Sequence, residues 1–242
     1  MLKKIGDVTV KNPQNYTTLK TGADLTCYQP SYDNLGEDRY HPVTGGRTRR
    51  LGQYYARYDR QKREAEIHKL KTQVYVQGEK FNKSYGAMKR YFEDIEVDFK
   101  PLLQILFREI EDNWLVDEDE WMINVHQFRV HAKTLNDGVA APEGKHRDGA
   151  EYVYMGCVAR ENVTGGISHI FEGDDTPPIF GTTLVAGEGI LVDDREVLHD
   201  VTPIVAEGDY GYRDMVIVGY HLWSDNKYPG DWKDNIYELK MS

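Results

Sequence analysis

The second half of the chain is written as short runs rich in Val, Ile and Tyr: residues 121–132, 151–160, 167–171, 182–185, 189–192, 197–205 and 212–223. Each run is bounded by Gly, Pro, Asp or Asn, which turn a chain rather than extend it. Upstream, Met88, Phe92, Ile95, Leu102, Leu103, Ile105, Leu106 and Ile110 recur at helical spacing, which predicts a helical region over residues 86–114 interrupted near Pro101. Short strands that follow a helical layer fit an α+β, mainly β fold, a double-sheet jelly roll with helices packed on one side. We expect a single domain over residues 1–242, in which residues 1–120 supply N-terminal strands and helical support and residues 121–223 the jelly-roll core. The dense mixed-charge run over residues 59–71 is expected to be a solvated strand or helix face.

Charge narrows the class of partner. A formal net charge of −10 leaves no extended basic surface to neutralise a phosphate backbone, so nucleic acid is not expected as a partner. No stretch approaches the roughly 20 apolar residues that cross a bilayer, and the first ten residues lack an apolar core of the secretory kind. A cytoplasmic protein acting on a small molecule is the expectation. Cys27 and Cys157 lie far apart and support neither a disulfide framework nor a thiolate metal site.

Of eight histidines, only His146 has a carboxylate two residues on, in His146-Arg147-Asp148. Such a tripeptide carries little alone. At the entry of a predicted strand, however, period 2 puts His146 and Asp148 on one face as adjacent ligands. His199 is the polar centre of the apolar run Val197-Leu198-His199-Asp200-Val201 and can supply a third ligand from another strand. Two histidines and one carboxylate make the facial triad of non-haem Fe(II) oxygenases, with positions left open for co-substrate and O₂. Arg213 opens a strand that is otherwise apolar from Met215 to Val218, a costly place for a charge unless it is paired. Its planar fork suits a carboxylate, either that of a co-substrate or that of the neighbouring Asp214 or another acid of the chain.

These residues, with Ala141-Pro-Glu-Gly-Lys-His146-Arg-Asp148-Gly149, Arg160-Glu-Asn162-Val-Thr-Gly165-Gly166, Asp193-Asp194-Arg195, His199-Asp-Val-Thr202-Pro203 and Arg213-Asp214, resemble the bacterial 2OG-Fe dioxygenase family that includes L-isoleucine 4-hydroxylase. Tyr32-x-x-Leu35-x-x-Asp38-x-Tyr40, Arg47-x-Arg49 and His126-Gln127-Phe128-Arg129 are similar to it as well. The likeness runs from about Tyr32 onward and is weakest over residues 54–83. It implies a double-stranded β-helix, cupin-like, with Fe(II), 2-oxoglutarate and O₂ as requirements and a free L-amino acid as substrate. By the same resemblance His146, Asp148 and His199 are the iron ligands and Arg213 the 2-oxoglutarate anchor. The retained Asp148 favours hydroxylation over halogenation, while desaturation or ring closure stays open.

For the substrate, Gln127 and Arg129 share one strand face with Ile123 and Val125 and are expected either to line the pocket or to belong to an internal salt bridge or a solvated face. Tyr152 and Tyr154 share the ligands' face if the strand from His146 continues regularly, as pocket walls or as core tyrosines. Arg47 and Arg49, in a Gly-rich segment, are expected on a loop that closes as a lid. Two other classes stand beside the enzyme. A jelly-roll metabolite sensor would have lost catalysis, which the full ligand set argues against, and a cupin-type metalloenzyme would need a His-x-His pair that is absent.

Overall fold

The chain runs β1 (Lys3–Ile5), β2 (Val8–Val10), β3 (Tyr16–Lys20), α1 (Ala23–Thr26), β4 (Arg47–Asp59), β5 (Glu64–Leu70), α2 (Lys100–Asn113), β6 (Glu120–Lys133), β7 (Tyr152–Glu161), β8 (Val163–Gly165), β9 (Ile167–Phe171), β10 (Phe180–Thr183), β11 (Glu188–Asp193), β12 (Leu198–Val201), β13 (Ile204–Ala206) and β14 (Tyr210–Leu222). This computed structural model describes residues 3–5, 8–10, 12–78, 88–114, 116–225 and 232–236.

Seven strands form one antiparallel sheet in the order β3-β11-β7-β14-β6-β4-β5, and a second sheet has the order β10-β9-β12. Period-2 alternation gives the large sheet two apolar faces with different partners. On β14, Val216, Val218 and Tyr220 face one way and Met215 the other. The first face packs on α2, whose Leu102, Leu103, Leu106, Phe107 and Ile110 are buried at helical spacing. The second joins Val153, Met155 and Cys157 of β7 to Ile170 of β9, and this is the space between the two sheets. The arrangement is a mostly β jelly roll with helical cover on one side.

Several boundaries differ from the sequence expectation. Pro101 begins α2 instead of breaking it, since the missing N–H of the first helical turn has no intrahelical acceptor to lose. Residues 88–99 are not helical and make isolated bridges from Arg90 to Tyr75 and from Asp94 to Leu51. Ile95 and Phe99 still reach the α2 core, so apolar spacing there imitates a helix. Gly86 and Ala87 lie outside the described residues. The run 197–205 divides into β12 and β13 around Thr202-Pro203, where proline cannot donate to a ladder. Residues 59–71 turn from β4 into the edge strand β5, with Glu64 and Glu66 exposed. No described helix is long and apolar enough to cross a membrane. Cys27 is exposed and Cys157 buried, both free.

Candidate metal centre and its cavity

His146 and His199 sit opposite each other in an antiparallel bridge, exchanging backbone hydrogen bonds of 3.0 and 2.9 Å. The bridge extends the small sheet by one residue beyond β12 and brings the rings to a centroid distance of 4.5 Å. Asp148 closes the group: its two carboxylate oxygens lie 3.7 Å from Nε2 of His146 and 3.7 Å from Nε2 of His199. One ligand atom from each of the three falls within 4.8 Å of the others.

The surroundings fix which atoms face inward. Nδ1–H of His146 donates to the Gly144 carbonyl at 2.7 Å, so Nε2 is the nitrogen turned to Asp148. Burial alone depresses His146, yet hydrogen bonding and charge from Asp148 push it up to about 9. Burial likewise opposes ionisation of Asp148, and the two histidines overcome it, holding the carboxyl well below its usual range. An anionic carboxylate flanked by two imidazoles is a donor set from which a divalent cation displaces the ring protons. Asp194, on the turn after β11, accepts from the backbone N–H of Asp148, Gly149 and Ala150 at 3.2, 2.8 and 3.1 Å. Its other contact is with Nδ1 of His199, 3.6 Å away. Gln77 completes the frame by donating to the Asp148 carbonyl and carboxylate at 3.2 and 3.3 Å.

The three residues open into a cavity, partly open to solvent, that reaches between the sheets. At one end lies Arg213, 1% exposed. Asp214 does not pair with it, because successive strand residues face opposite sides. Among the described residues no carboxylate reaches the Arg213 guanidinium; its contact is Ser168 Oγ at 3.4 Å, and Nε has no partner. Space is made by Gly166, where a Cβ would stand 3.5 Å from Arg213 Cδ and Nη1. Burial depresses the Arg213 pKa, the Cys157 thiol works against that and the Arg160 charge adds to it, and no carboxylate contributes. A buried fork facing open space beside a hydroxyl fits the far carboxylate of a dicarboxylate such as 2-oxoglutarate, and the two-histidine, one-carboxylate set fits Fe(II).

Four of the residues expected from the sequence at the substrate pocket lie elsewhere. Gln127 donates to Ser31 Oγ at 2.6 Å. Arg129 grips Asp214 in a bidentate pair at 2.6 and 2.9 Å and Asp33 at 3.1 Å. Both share a face with Ile123 and Val125 as their parity requires, but it is the face turned to the helical side. Tyr152 is also on that side, packed near Trp114 and Arg195, and Tyr154 is buried with it. Regular alternation from His146 fails because Gly149 adopts φ 81° and the Asp194 clamp bends residues 148–150, so β7 starts afresh at Tyr152. Its pocket side is Met155 instead.

Arg47 and Arg49 do line the cavity, though from strand β4 and not from a loop lid. Both are 8% exposed. Asp38 accepts from Arg47 Nε at 2.8 Å and lies 3.7 Å from Arg49 Nη1. Register fixes their separation from the first arginine: Arg213, Val130 and Arg47 are aligned across β14, β6 and β4, two strand spacings or about 10 Å. Tyr75, Gln77, Arg90 and His126 complete this end; none of them was expected there from the sequence, and His126 figured only in the His126-Gln127-Phe128-Arg129 likeness. The alternation on β6 held a signal for His126, since Ile123 and Val125 mark the opposite parity as core.

Residues 29–219 match the 2OG-Fe dioxygenase family. Among solved structures the chain is similar to a bsmA homolog from Methylobium petroleophilum PM1, with 22% identity over 87% of this chain and 90% of that one and a TM-score of 0.71. It is also similar to IDO from Bacillus thuringiensis, with 19% identity over 87% and 91% and a TM-score of 0.67. For the Fe(II)/(alpha)ketoglutarate-dependent dioxygenase TqaL the values are 15% identity, 93% and 86%, and 0.60. No curated protein sequence matches significantly. The structural likeness extends the jelly-roll fold to these proteins, and the family match takes in every residue of the histidine–aspartate cluster and Arg213. This chain belongs to the 2OG-Fe dioxygenase family, whose cofactors are Fe(II) and 2-oxoglutarate with O₂.

Proposed function

We propose that the protein hydroxylates an unactivated C–H of a small substrate, a free L-amino acid, with release of succinate and CO₂. His146, Asp148 and His199 hold Fe(II), Arg213 holds the distal carboxylate of 2-oxoglutarate, and Arg47 and Arg49 take the substrate carboxylate. The observation that carries this reading is the buried, acid-free Arg213 in the same cavity as the three-residue donor set. With Fe(II), 2-oxoglutarate and O₂ bound, the centre supplies an oxidant strong enough to break an aliphatic C–H bond. The chain's own residues orient and shield. Met155, Met215 and Ile217 give the cavity an apolar wall. Two arginine sites about 10 Å apart on one sheet can hold two carboxylates at once with the donor set alongside. Glu143 and Asp200 line the same cavity and give acceptors for an ammonium group.

The test is an anaerobically loaded Fe(II) enzyme exposed to air with 2-oxoglutarate and each proteinogenic L-amino acid, reading succinate together with the mass gain of one oxygen. Asp148→Ala removes one of three protein ligands and is expected to abolish both signals while leaving the fold intact. If Asp148→Ala keeps most of the hydroxylation rate, the ligand assignment is wrong. If only peptide-bound or carrier-bound amino acids raise succinate, the free-substrate reading falls and the oxygenase remains.

A further inference from the structure

His126 is a buried ring on the cavity floor whose proton position the structure settles. Arg49 Nη2 contacts His126 Nδ1, and because a guanidinium only donates, Nδ1 must be the bare nitrogen. The ring proton therefore sits on Nε2. Burial, and then the Arg49 charge, hold the imidazole well below its usual range, so the ring stays neutral and keeps that tautomer. Among the described residues Nε2–H has no hydrogen-bond partner, and His126 lines the cavity.

Its neighbours are donors too. Tyr75 packs edge-on against His126 at 4.8 Å and 78°, and burial pushes its phenol up to about 12, so the hydroxyl keeps its proton. Arg49 Nε is buried without a partner. Between them Arg47 and Arg49 meet one acid, Asp38. A corner with a surplus of donors and one net positive charge on that trio calls for a singly charged oxygen acceptor. It is also next to the chemistry, because Asp148 is close enough to raise the pKa of both Tyr75 and His126.

We infer that His126 is a specificity-determining residue: its Nε2–H donates to the substrate carboxylate held by Arg49, so the site selects a free carboxylate over an esterified, amidated or carrier-linked one. This rests on the reading above that the substrate carries a carboxylate. A neutral N–H gives direction that the arginine charge alone does not, because it must be aimed at one oxygen lone pair.

The experiment compares the proteinogenic L-amino acids with their primary amides on the Fe(II)·2-oxoglutarate enzyme, measuring anaerobic Kd by difference absorbance and KM by succinate release. In the wild type the responding free acid is expected to bind at least tenfold more tightly than its amide. His126→Phe, which keeps the ring and loses the donor, is expected to weaken the free acid about ten- to a hundredfold, leave the amide nearly unchanged and leave the 2-oxoglutarate KM unmoved. His126→Gln, which restores an N–H donor, should recover most of the loss. Should the Phe variant not fold, His126→Leu removes the donor in a smaller volume and is read the same way. Equal acid-to-amide preference in wild type and the donor-less variant overturns the inference while the amino acid reading stands. If no free acid binds the wild type, both fall.

Discussion

Asp194 has a side chain with no solvent exposure, and that carboxylate serves two of the three candidate ligands. Three backbone N–H groups of residues 148–150 converge on it, which sets where Asp148 points, and His199 Nδ1 faces its other side. Outer carboxylates of this kind orient an imidazole and raise its basicity. Asp194→Asn keeps an oxygen for the backbone donors and removes the charge. The expected outcome is a ten- to hundredfold weaker Fe(II) or Co(II) affinity, at roughly the loss typical of such partners, with a smaller change in the melting temperature of the metal-free protein. Anaerobic titration of the metal measures it, and an unchanged Kd would restrict Asp194 to shaping the loop. Nothing local to Asp193-Asp194-Arg195 distinguishes the second aspartate from its neighbour. Only the return of β11 alongside β7 brings it under the ligand turn.

At the scale of elements, strand parity was legible and strand facing was not. Period 2 grouped Gln127 and Arg129 with Ile123 and Val125, and the structure keeps that grouping. Which side of the sheet a face meets depends on where α2 docks, a long-range fact that no single strand encodes. The apolar members of the group were the available sign, since a wet pocket face would not carry two fully buried aliphatic residues. His146 and Asp148 could be picked out as a His-x-Asp tripeptide at the entry of a predicted strand and His199 because it interrupts an apolar run, whereas Tyr75, Gln77 and Asp38 lie in segments without periodicity. Placed on the helical side, Arg129 ties Asp214 of β14 to Asp33 of the segment that precedes β4, and so holds the fold instead of a ligand. The Asp214 side chain is wholly buried, so Arg129→Ala strands an unpaired charge and is expected to cost about 3–5 kcal/mol of stability. Chemical denaturation reads the loss, and the double variant Arg129→Met/Asp214→Leu should regain most of it. The KM values of whatever activity survives should be those of the wild type; a raised 2-oxoglutarate KM would instead return Arg129 to the site.

For the whole molecule, the jelly roll encloses at Arg213 a guanidinium that no carboxylate among the described residues reaches. The strands around Arg213 contribute no carboxylate to it among the described residues: Met215 and Ile217 come from β14, Ser168 from β9 and a second cation, Arg160, stands opposite it on β7, while the adjoining Asp214 is committed to Arg129 on the opposite face. An unpaired buried charge is a standing cost to the fold, and the structure retains it at the place where a dicarboxylate fits. Stability and function are therefore set against each other at this position. Arg213→Met, similar in length and apolar, is expected to raise the melting temperature of the ligand-free protein by several degrees, since each kcal/mol is worth about 2–4 °C in a chain of this size. The same change should erase the further stabilisation that 2-oxoglutarate gives the wild type in the presence of Mn(II), which mass action sets at about 2.7 kcal/mol when the ligand stands at 100 times its Kd. Thermal unfolding of both proteins, with metal alone and with metal plus 2-oxoglutarate, separates the two effects. A ligand-free variant that melts below the wild type would mean that Arg213 is held by interactions of the fold itself, and a 2-oxoglutarate shift that survives the substitution would move the anchor to the Arg47–Arg49 end of the cavity.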